Sequence, residues 1–285
     1  MRFLILGCNG MAGHTISLYL KERGHEVMGF DRHPSYFVES ITGDAADAGY
    51  IKEIIGVNKF DTIINCIGLL NQFAEKNKVG AVYLNSYFPH YLAQLTADTD
   101  TQIIHMSTDC VFSGRRGQYT EDDLRDGTTF YDRSKALGEL EDNKNITLRS
   151  SIVGPDINSK GIGLLNWFMQ QKGEVRGYTC VMWTGQTTLQ LAKTMEMAAK
   201  VKAYGLFNMV PDQAISKFDL LKLFNKHMRN NAVSIIPTDK IAIDKSLKRT
   251  RFSFDYQIPD YEQMVTELAD WMRNHESLYP HYKNN

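Results

Sequence analysis

Tyr131 and Lys135 are the pair of side chains in this sequence that is best suited to acid–base chemistry. They stand four residues apart in the segment Tyr-Asp-Arg-Ser-Lys, so a helix would bring both onto one face. A nearby ammonium group stabilises a phenolate and would move the tyrosine pKa from about 10 toward neutral pH. Such a tyrosine can exchange a proton with a carbonyl or an alcohol. Taken alone, the spacing favours an exposed surface pair over a catalytic one.

Thr108 supplies a hydroxyl that fits the same chemistry. It stands in the run Ser107-Thr108-Asp109-Cys110, directly after the apolar stretch Gln102–Met106, which is typical of a buried strand. A hydroxyl at such a strand end can hydrogen-bond to the oxygen that exchanges a proton with Tyr131. The three side chains together favour a catalytic site over an exposed helix pair.

Three glycines near the N-terminus predict a dinucleotide site. They have the spacing G-x-x-G-x-x-G, follow the predicted strand Arg2–Leu6 and open the predicted helix Met11–Arg23. Glycines permit a tight turn, close approach of the backbone to a pyrophosphate, and close packing of helix on strand. The helix N-terminus then offers free N–H groups to the phosphates. The residues of this turn that we expect to contact the coenzyme are Gly7, Asn9, Gly10, Met11 and Gly13.

Asp31 lies at the end of the second predicted strand, about 20 residues past the glycines, where a carboxylate can accept hydrogen bonds from the adenosine ribose. That arrangement favours NAD. Arg32 and His33 follow directly, and basic side chains at this place can instead bind the 2′-phosphate of NADP. The residues therefore predict a nicotinamide dinucleotide and leave its type open.

The first half of the chain predicts a scaffold that can bring these strand ends together. Short apolar runs alternate with helical periodicity, which is typical of a parallel, doubly wound sheet. Several strands are apolar without alternation, as expected when helices cover both sheet faces. The predicted elements are the strands Arg2–Leu6, His25–Phe30, Thr62–Cys66 and Gln102–Met106, and the helices Met11–Arg23, Ala46–Ile55 and Val79–Ala97. The predicted fold class is a Rossmann-type α/β fold, with residues 1–150 as the NAD(P)-binding domain.

The pattern becomes irregular after Arg149, where a smaller C-terminal lobe is expected to begin. Capping pairs predict the helices Phe218–Met228 and Tyr261–Asn274 in this part. We assign residues 151–285 mainly to a substrate-binding lobe, and expect the segment of about 187–215 to return to the first domain.

The composition excludes several classes of function. The chain has 285 residues, a hydrophobic share of 43% and a formal net charge of −1, so no global field attracts nucleic acid or an anionic membrane. No apolar run reaches the roughly 20 residues of a membrane span, and the N-terminal run is too short for a signal peptide. The four scattered cysteines indicate neither a disulfide framework nor a zinc site. We therefore expect a cytoplasmic protein without a metal.

Longer motifs give a resemblance to a known family. The run Ser107-Thr108-Asp109-x-Val111-Phe112-x-Gly114 is followed by Tyr119-Thr120-Glu121-Asp122 and by Tyr131-x-x-Ser134-Lys135-x-x-Gly138-Glu139. This combination resembles the dTDP-4-dehydrorhamnose reductase family of extended short-chain dehydrogenases. The resemblance implies that Thr108, Tyr131 and Lys135 are catalytic, and that Lys135 also binds the nicotinamide ribose. It slightly favours NADPH over NADH.

The same resemblance assigns further coenzyme contacts. Asp44, followed by Ala45, takes the place where the superfamily binds the adenine amino group. The segment Asn65-Cys66-Ile67-Gly68 resembles the one beside the nicotinamide ribose, and Asn85 with Pro89 resembles a family helix. The additional cofactor contacts that this implies are Asp44, Ala45, Cys66, Ile67, Gly68 and Asn85.

Two departures from the family bear on the substrate, which the resemblance implies to be a nucleotide-linked 4-keto-6-deoxyhexose. Cys110 stands where the family usually has an aromatic residue, and Ile152 where it usually has tryptophan. Trp183 could restore an aromatic wall or simply pack between the lobes. Arg249, with Lys248, is the basic group that we expect at the substrate diphosphate.

Other activities stay open as alternatives. Related 4,6-dehydratases place Asp-Glu after the catalytic threonine, whereas here Cys110 follows Asp109, so elimination of water has no obvious base. A nucleotide-sugar epimerase and a non-catalytic NADP-binding regulatory protein remain as alternatives to a reductase. The sequence does not reveal the oligomeric state, although the Tyr-Lys helices of related enzymes commonly pack into dimers and a homodimer is one possible assembly.

Overall fold

A seven-stranded parallel β-sheet forms the centre of the computed structural model, which describes residues 1–282. Its order from edge to edge is β11-β6-β5-β4-β1-β2-β3, and every neighbouring pair runs parallel. The strands are β1 Arg2–Leu6, β2 Glu26–Asp31, β3 Glu39–Thr42, β4 Thr62–Asn65, β5 Gln102–Ser107, β6 Ile146–Arg149 and β11 Gly205–Asn208. The predicted Rossmann-type α/β fold is confirmed.

Helices cover both faces of this sheet, which explains why its central strands are mainly apolar. Phe3 and Ile5 of β1 pack in one core with the helices α1 and α8, whereas Leu4 and Leu6 pack in a second core with α2 and α5. The helices of this part are α1 Met11–Glu22, α2 Ala48–Val57, α3 Asn71–Lys76, α4 Lys78–Ala81, α5 Phe88–Leu95, α6 Phe130–Leu137 and α8 Thr188–Lys200.

The single helix predicted over Val79–Ala97 is wrong in detail. The segment forms α4, then a π-helical turn over Val82–Tyr87, then α5. Pro89 explains the interruption, because it has no N–H to donate to the carbonyl of Asn85 four residues earlier. The short strand β3 was also absent from the predicted elements, since its polar sequence Glu-Ser-Ile-Thr lacks an apolar run.

The C-terminal part of the chain adds small sheets and three helices beside the main sheet. β7 pairs with β10, β9 lies between β12 and β14, and β8 pairs with β13. The bounds are β7 Ser151–Val153, β8 Glu174–Tyr178, β9 Val181–Trp183, β10 Gly185–Thr187, β12 Ile215–Ser216, β13 Ser234–Thr238, β14 Ile243–Asp244, α7 Leu164–Met169, α9 Lys217–Met228 and α10 Tyr261–Asn274. The intervening α8 packs against α1, and β11 forms one edge of the main sheet.

A buried ion pair between Glu139 and Arg149 joins the ends of β5, β6 and β11. Glu139 accepts hydrogen bonds from Ser107 Oγ at 2.6 Å and from Arg149 Nε and Nη2 at 2.9 and 2.7 Å. Arg125 also donates to this carboxylate, and Arg149 Nη1 donates to Asn208 at 3.2 Å. Burial by itself would raise the pKa of Glu139, but the bonds from Arg149, Ser107 and Arg125 outweigh it and lower the pKa.

Replacing Glu139→Gln is expected to lower the free energy of unfolding by about 3 kcal/mol, because it leaves the buried Arg149 without its counter-charge. The measurement is urea denaturation at neutral pH. Glu262→Gln is the matched control, since the pair of Glu262 with Lys226 is exposed and should contribute at most about 1 kcal/mol. Equal losses in the two variants would contradict this account of the ion pair.

Candidate active site

A cleft opens at the carboxyl ends of β1, β4 and β5, where the strand order of the sheet reverses. One part has a volume of about 410 Å³ and contains the predicted catalytic side chains; an adjoining part of about 250 Å³ lies beside the end of β2. The predicted site residues that line these parts are Gly7, Gly10, Met11, Gly13, Asp31, Arg32, Asp44, Ala45, Cys66, Ile67, Gly68, Thr108, Cys110, Tyr131, Lys135 and Ile152.

The glycine turn has the geometry that its spacing predicts. Gly7 has a φ of +81°, which a side chain would strain. A Cβ on Gly13 would lie 2.0 Å from the Gly7 carbonyl oxygen, so α1 can begin this close to β1 only with glycine there. Gly10 caps α1 without any side-chain bond, which leaves the first N–H groups of the helix free for an anion.

Asp31 links the glycine turn to the end of β2. Its carboxylate accepts from the backbone N–H of Asn9 at 3.2 Å and of His33 at 3.4 Å. The side chain of Asn9 donates to the carbonyl of His33 at 2.9 Å, so Asn9 holds the turn rather than lining the cleft. Arg32 lines the same part of the cleft as Asp31, which places one acidic and one basic group beside each other.

Asn85 supports the cleft wall from behind, which differs from its predicted direct contact with a coenzyme. Its side-chain oxygen accepts from Leu69 N at 2.8 Å, and its nitrogen donates to Leu69 O at 2.9 Å and to Ser134 Oγ at 3.0 Å. All its donor and acceptor groups therefore face the loop after β4 and the helix α6. The side chain fixes that loop against the helix that carries Tyr131.

Thr108 and Tyr131 face the catalytic part of the cleft. Thr108 Oγ1 donates to Asp109 Oδ1 at 3.0 Å and accepts from Cys110 N at 3.1 Å. Tyr131 is buried in the first turn of α6, whose capping box joins Thr129 and Asp132. Burial raises the pKa of Tyr131 above its ordinary value, with Cys110 and Asp109 adding to the effect. This direction is opposite to the predicted lowering of the pKa by Lys135.

Lys135 points toward the end of β5 instead. Its Nζ donates to the carbonyl of Met106 at 2.6 Å and lies 3.4 Å from His105 Nε2. Burial lowers the pKa of Lys135 to about 8, although Glu139 and Cys66 act in the opposite direction. The ammonium is thus held at the base of the cleft and costs folding free energy.

His105 is a buried neighbour of Lys135 that the sequence interpretation missed. It is fully buried in β5, and its Nδ1 lies 3.2 Å from Asn65 Nδ2. Burial, with Lys135 adding to it, lowers the pKa of His105 well below its usual value, so the ring is neutral. The available signal was a single titratable residue within the otherwise apolar run of β5.

Two of the predicted substrate contacts lie apart from the catalytic part of the cleft. Trp183 lines an adjoining cavity of about 600 Å³, which shares Ile152 with the catalytic part. Arg249 does not line the cleft: its guanidinium donates to the carbonyls of Arg251, Phe254 and Tyr256. Because its donors are used to hold that turn, the prediction that Arg249 binds the substrate is wrong. Lys248 is exposed and pairs through its backbone with Tyr119.

Within residues 1–282, no group of three or more His, Cys, Asp or Glu side chains is arranged to hold a metal ion. No helix in the same part of the chain is long and apolar enough to cross a membrane.

Known proteins resemble both the sequence and the structure. A family model described as the RmlD substrate binding domain matches residues 1–278. A dTDP-4-dehydrorhamnose reductase of Aggregatibacter actinomycetemcomitans is 24% identical over 251 residues, which cover 83% of this chain and 82% of that protein. A probable low-salt glycan biosynthesis reductase of Haloferax volcanii is 32% identical over 143 residues, or 49% of this chain and 48% of the relative. The chain thus matches about half the length of the latter protein.

Solved structures share the fold. A dTDP-4-dehydrorhamnose reductase from Bacillus anthracis in complex with NADP has a TM-score of 0.79 and 20% identity, covering 94% of this chain and 98% of that one. The Bordetella bronchiseptica enzyme WbmG in complex with NAD and UDP has a TM-score of 0.76 and 16% identity, covering 96% of each chain.

Lys135→Met is expected to stabilise the fold at pH 7. Between about pH 8 and pH 10.5 the unfolded chain holds a proton that folded Lys135 has released, so stability rises with pH across that window. Below about pH 8 the full cost of burying the Lys135 ammonium is present. Removing the ammonium should raise the free energy of unfolding by on the order of 2 kcal/mol, a figure from which about 1 kcal/mol has been subtracted for the lost hydrogen bond to Met106.

Urea denaturation of the wild type and the variant from pH 7 to pH 10.5 measures this difference. It should shrink as the pH rises, while Lys240→Met, a change at an exposed lysine, shows no such trend. A Lys135→Met protein that is less stable than the wild type at pH 7 would contradict the stated cost of burying this ammonium.

Proposed function

The chain belongs to the family described as the RmlD substrate binding domain, and on that premise we propose that it is an NAD(P)H-dependent reductase. Its proposed substrate is the C4 ketone of a nucleotide-linked 4-keto-6-deoxyhexose, as in deoxysugar and surface polysaccharide biosynthesis. The observation that carries the proposal is the common cleft of Thr108, Tyr131 and Lys135 beside the glycine turn.

The residues of the turn suit a dinucleotide. The uncapped start of α1 offers N–H groups to a pyrophosphate, and glycine at position 13 lets the helix begin close against the backbone of Gly7. A nicotinamide coenzyme, when bound there, supplies a hydride. Lys135 is within the same cleft and would bond the ribose on the nicotinamide side, while Asp31 and Arg32 lie at the adenosine end.

The protonation states of the cleft support reduction. Because burial raises the pKa of Tyr131, its phenol keeps its proton at neutral pH and can give it to the oxygen of a reduced ketone. Thr108 Oγ1 now donates to Asp109, and turning this hydroxyl toward a carbonyl oxygen would polarise the ketone. Lys135, whose ammonium donates to the carbonyl of Met106, would hold the tyrosine and the ribose in fixed relative positions.

The same electrostatics disfavour elimination of water. Related dehydratases place a glutamate two residues after the catalytic threonine, and Cys110 occupies that position here. Burial raises the pKa of Cys110 to about 12, with Asp109 adding to it, so the thiol stays protonated near neutral pH and cannot act as a base. A non-catalytic role is also disfavoured, since both Tyr131 and Lys135 line the cleft.

Tyr131→Phe is expected to lower the rate of hydride transfer by about 10²- to 10⁴-fold, because it removes the acid and leaves the cavity shape unchanged. The assay follows oxidation of NADPH and NADH with dTDP-, UDP- and GDP-linked 4-keto-6-deoxyhexoses. Tyr204→Phe, at an exposed tyrosine, is the control. Turnover of Tyr131→Phe near the wild-type rate, or absence of turnover by the wild type across the panel, would refute the proposed reaction.

Asp31→Ala is expected to shift the coenzyme preference toward NADPH by about tenfold. The carboxylate can bind the ribose hydroxyls of NADH and repels the 2′-phosphate of NADPH, so its loss weakens NADH binding and strengthens NADPH binding. Equilibrium binding of the two coenzymes to wild type and variant gives the ratio. An unchanged ratio would exclude Asp31 from the adenosine site.

A further inference from the structure

Lys217 is a positively charged residue of the substrate cleft that the chemistry described above does not use. Its side chain lines the cavity of about 600 Å³ together with Trp183. This cavity joins the catalytic part of the cleft, because Ser151, Ile152 and Ile162 line both. A ligand whose ketone lies at Tyr131 can therefore extend toward Lys217 without leaving the cleft.

Within residues 1–282, the ammonium of Lys217 has neither a hydrogen bond nor an ion pair. Its contact is with the ring of Trp183, whose centroid lies 5.9 Å from Nζ. The side chain also stands at the first position of α9, where the positive end of the helix dipole disfavours a cation. Burial lowers the pKa of Lys217, while Asp109 and Cys110 act in the opposite direction. An anion beside it would relieve both costs.

The position of Lys217 is fixed by its neighbours along the chain. Ser216 caps α9 by accepting from Asp219 N at 3.0 Å. The same Ser216 pairs with Met182 in the antiparallel β12–β9 ladder, next to the pair of Ile215 with Trp183. The lysine and the tryptophan are thus held on one wall of the cavity by backbone pairing.

The other basic side chains of the cleft are less suited to bind an anion of the substrate. The two cavities are lined by three lysines: Lys135, Lys160 and Lys217. Lys135 is bonded to Met106 at the base of the cleft, and Lys160 is exposed on a loop. Lys217 alone combines partial burial, a fixed backbone and an unpaired ammonium.

We propose that Lys217 binds the diphosphate of the nucleotide-sugar substrate, with Trp183 as the adjacent wall. The inference rests on the proposed function. When the C4 ketone of a hexose lies at Thr108 and Tyr131, C1 lies across the ring, and its phosphate must point away from the coenzyme into the adjoining cavity. Among the residues that the structure describes, those that line this cavity include Lys160 and Lys217 and no Asp or Glu side chain. The charge of the lining therefore suits an anion.

The test compares nucleoside diphosphates with the matching nucleosides. Isothermal titration measures the binding of UDP, dTDP and GDP, and of uridine, thymidine and guanosine, to the full-length protein saturated with NADP⁺. Lys217→Met should raise the Kd of the tightest nucleoside diphosphate at least about tenfold, since it removes a charge-assisted contact. Lys217→Arg should restore the affinity to within about threefold. Binding of the nucleoside and of the coenzyme should not change.

Lys222→Met is the matched control, because Lys222 lies on the same helix with an exposed side chain. In the ketosugar assay, Lys217→Met should raise KM and leave kcat within about threefold. Unchanged thermal unfolding separates this effect from loss of structure, and Lys217→Gln replaces the methionine variant if that one is less stable.

Three results would overturn the assignment: unchanged diphosphate affinity in Lys217→Met, an equal loss of nucleoside or coenzyme affinity, or no binding of any of the diphosphates to the wild type at millimolar concentration. Diphosphate binding that depends on Lys217 without any ketosugar turnover would instead remove the proposed reaction and keep the diphosphate site. The two proposals can therefore fail separately.

Discussion

The buried ion pair of Glu139 and Arg149 holds together the segments that form the cleft. Glu139 follows the helix of Tyr131 and Lys135. It accepts a hydrogen bond from the hydroxyl of Ser107, the neighbour of Thr108. Arg149 ends β6, directly before the wall that begins at Ser150, and it also reaches Asn208 in β11. A buried carboxylate without this guanidinium would be costly, so the pair constrains the ends of three strands and one helix to a single arrangement. The catalytic side chains depend on that arrangement for their spacing.

Burial sets the charges of the cleft that this arrangement encloses. It keeps the phenol of Tyr131 and the thiol of Cys110 protonated and His105 neutral, while it lowers the pKa of Lys135. Desolvation acts on each group in the direction that removes charge. Glu139 opposes it at Lys135, so the ion pair that positions the catalytic helix also helps to retain the ammonium. A tyrosine that keeps its proton at neutral pH can give that proton to an oxygen, which is what reduction of a ketone requires.

Local signals in the sequence predicted the fold and most of the cleft, whereas contacts between distant segments did not follow from it. The glycine turn and the Tyr-Lys spacing are set within a few residues, and apolar runs were enough to indicate a parallel sheet. Arg249 was misassigned because a basic residue in the C-terminal part can equally well hold carbonyls of its own loop, as it does. Lys217 was not predicted as a site residue, because only the pairing of β12 with β9 brings it beside Trp183.

Two different parts of the chain line the cleft. The end of the sheet carries Thr108, Tyr131 and Lys135, and its geometry is fixed by buried bonds that leave little freedom. The adjoining cavity is walled by Ile152, Trp183 and Lys217, which belong to a short strand, a second small sheet and the start of a helix. Cys110 and Ile152 replace the aromatic residues that the resemblance implies beside a sugar, and Trp183 brings an indole to the same space from another strand. The walls of the adjoining cavity thus come from elements outside the main sheet, and these elements can vary without moving Thr108, Tyr131 and Lys135.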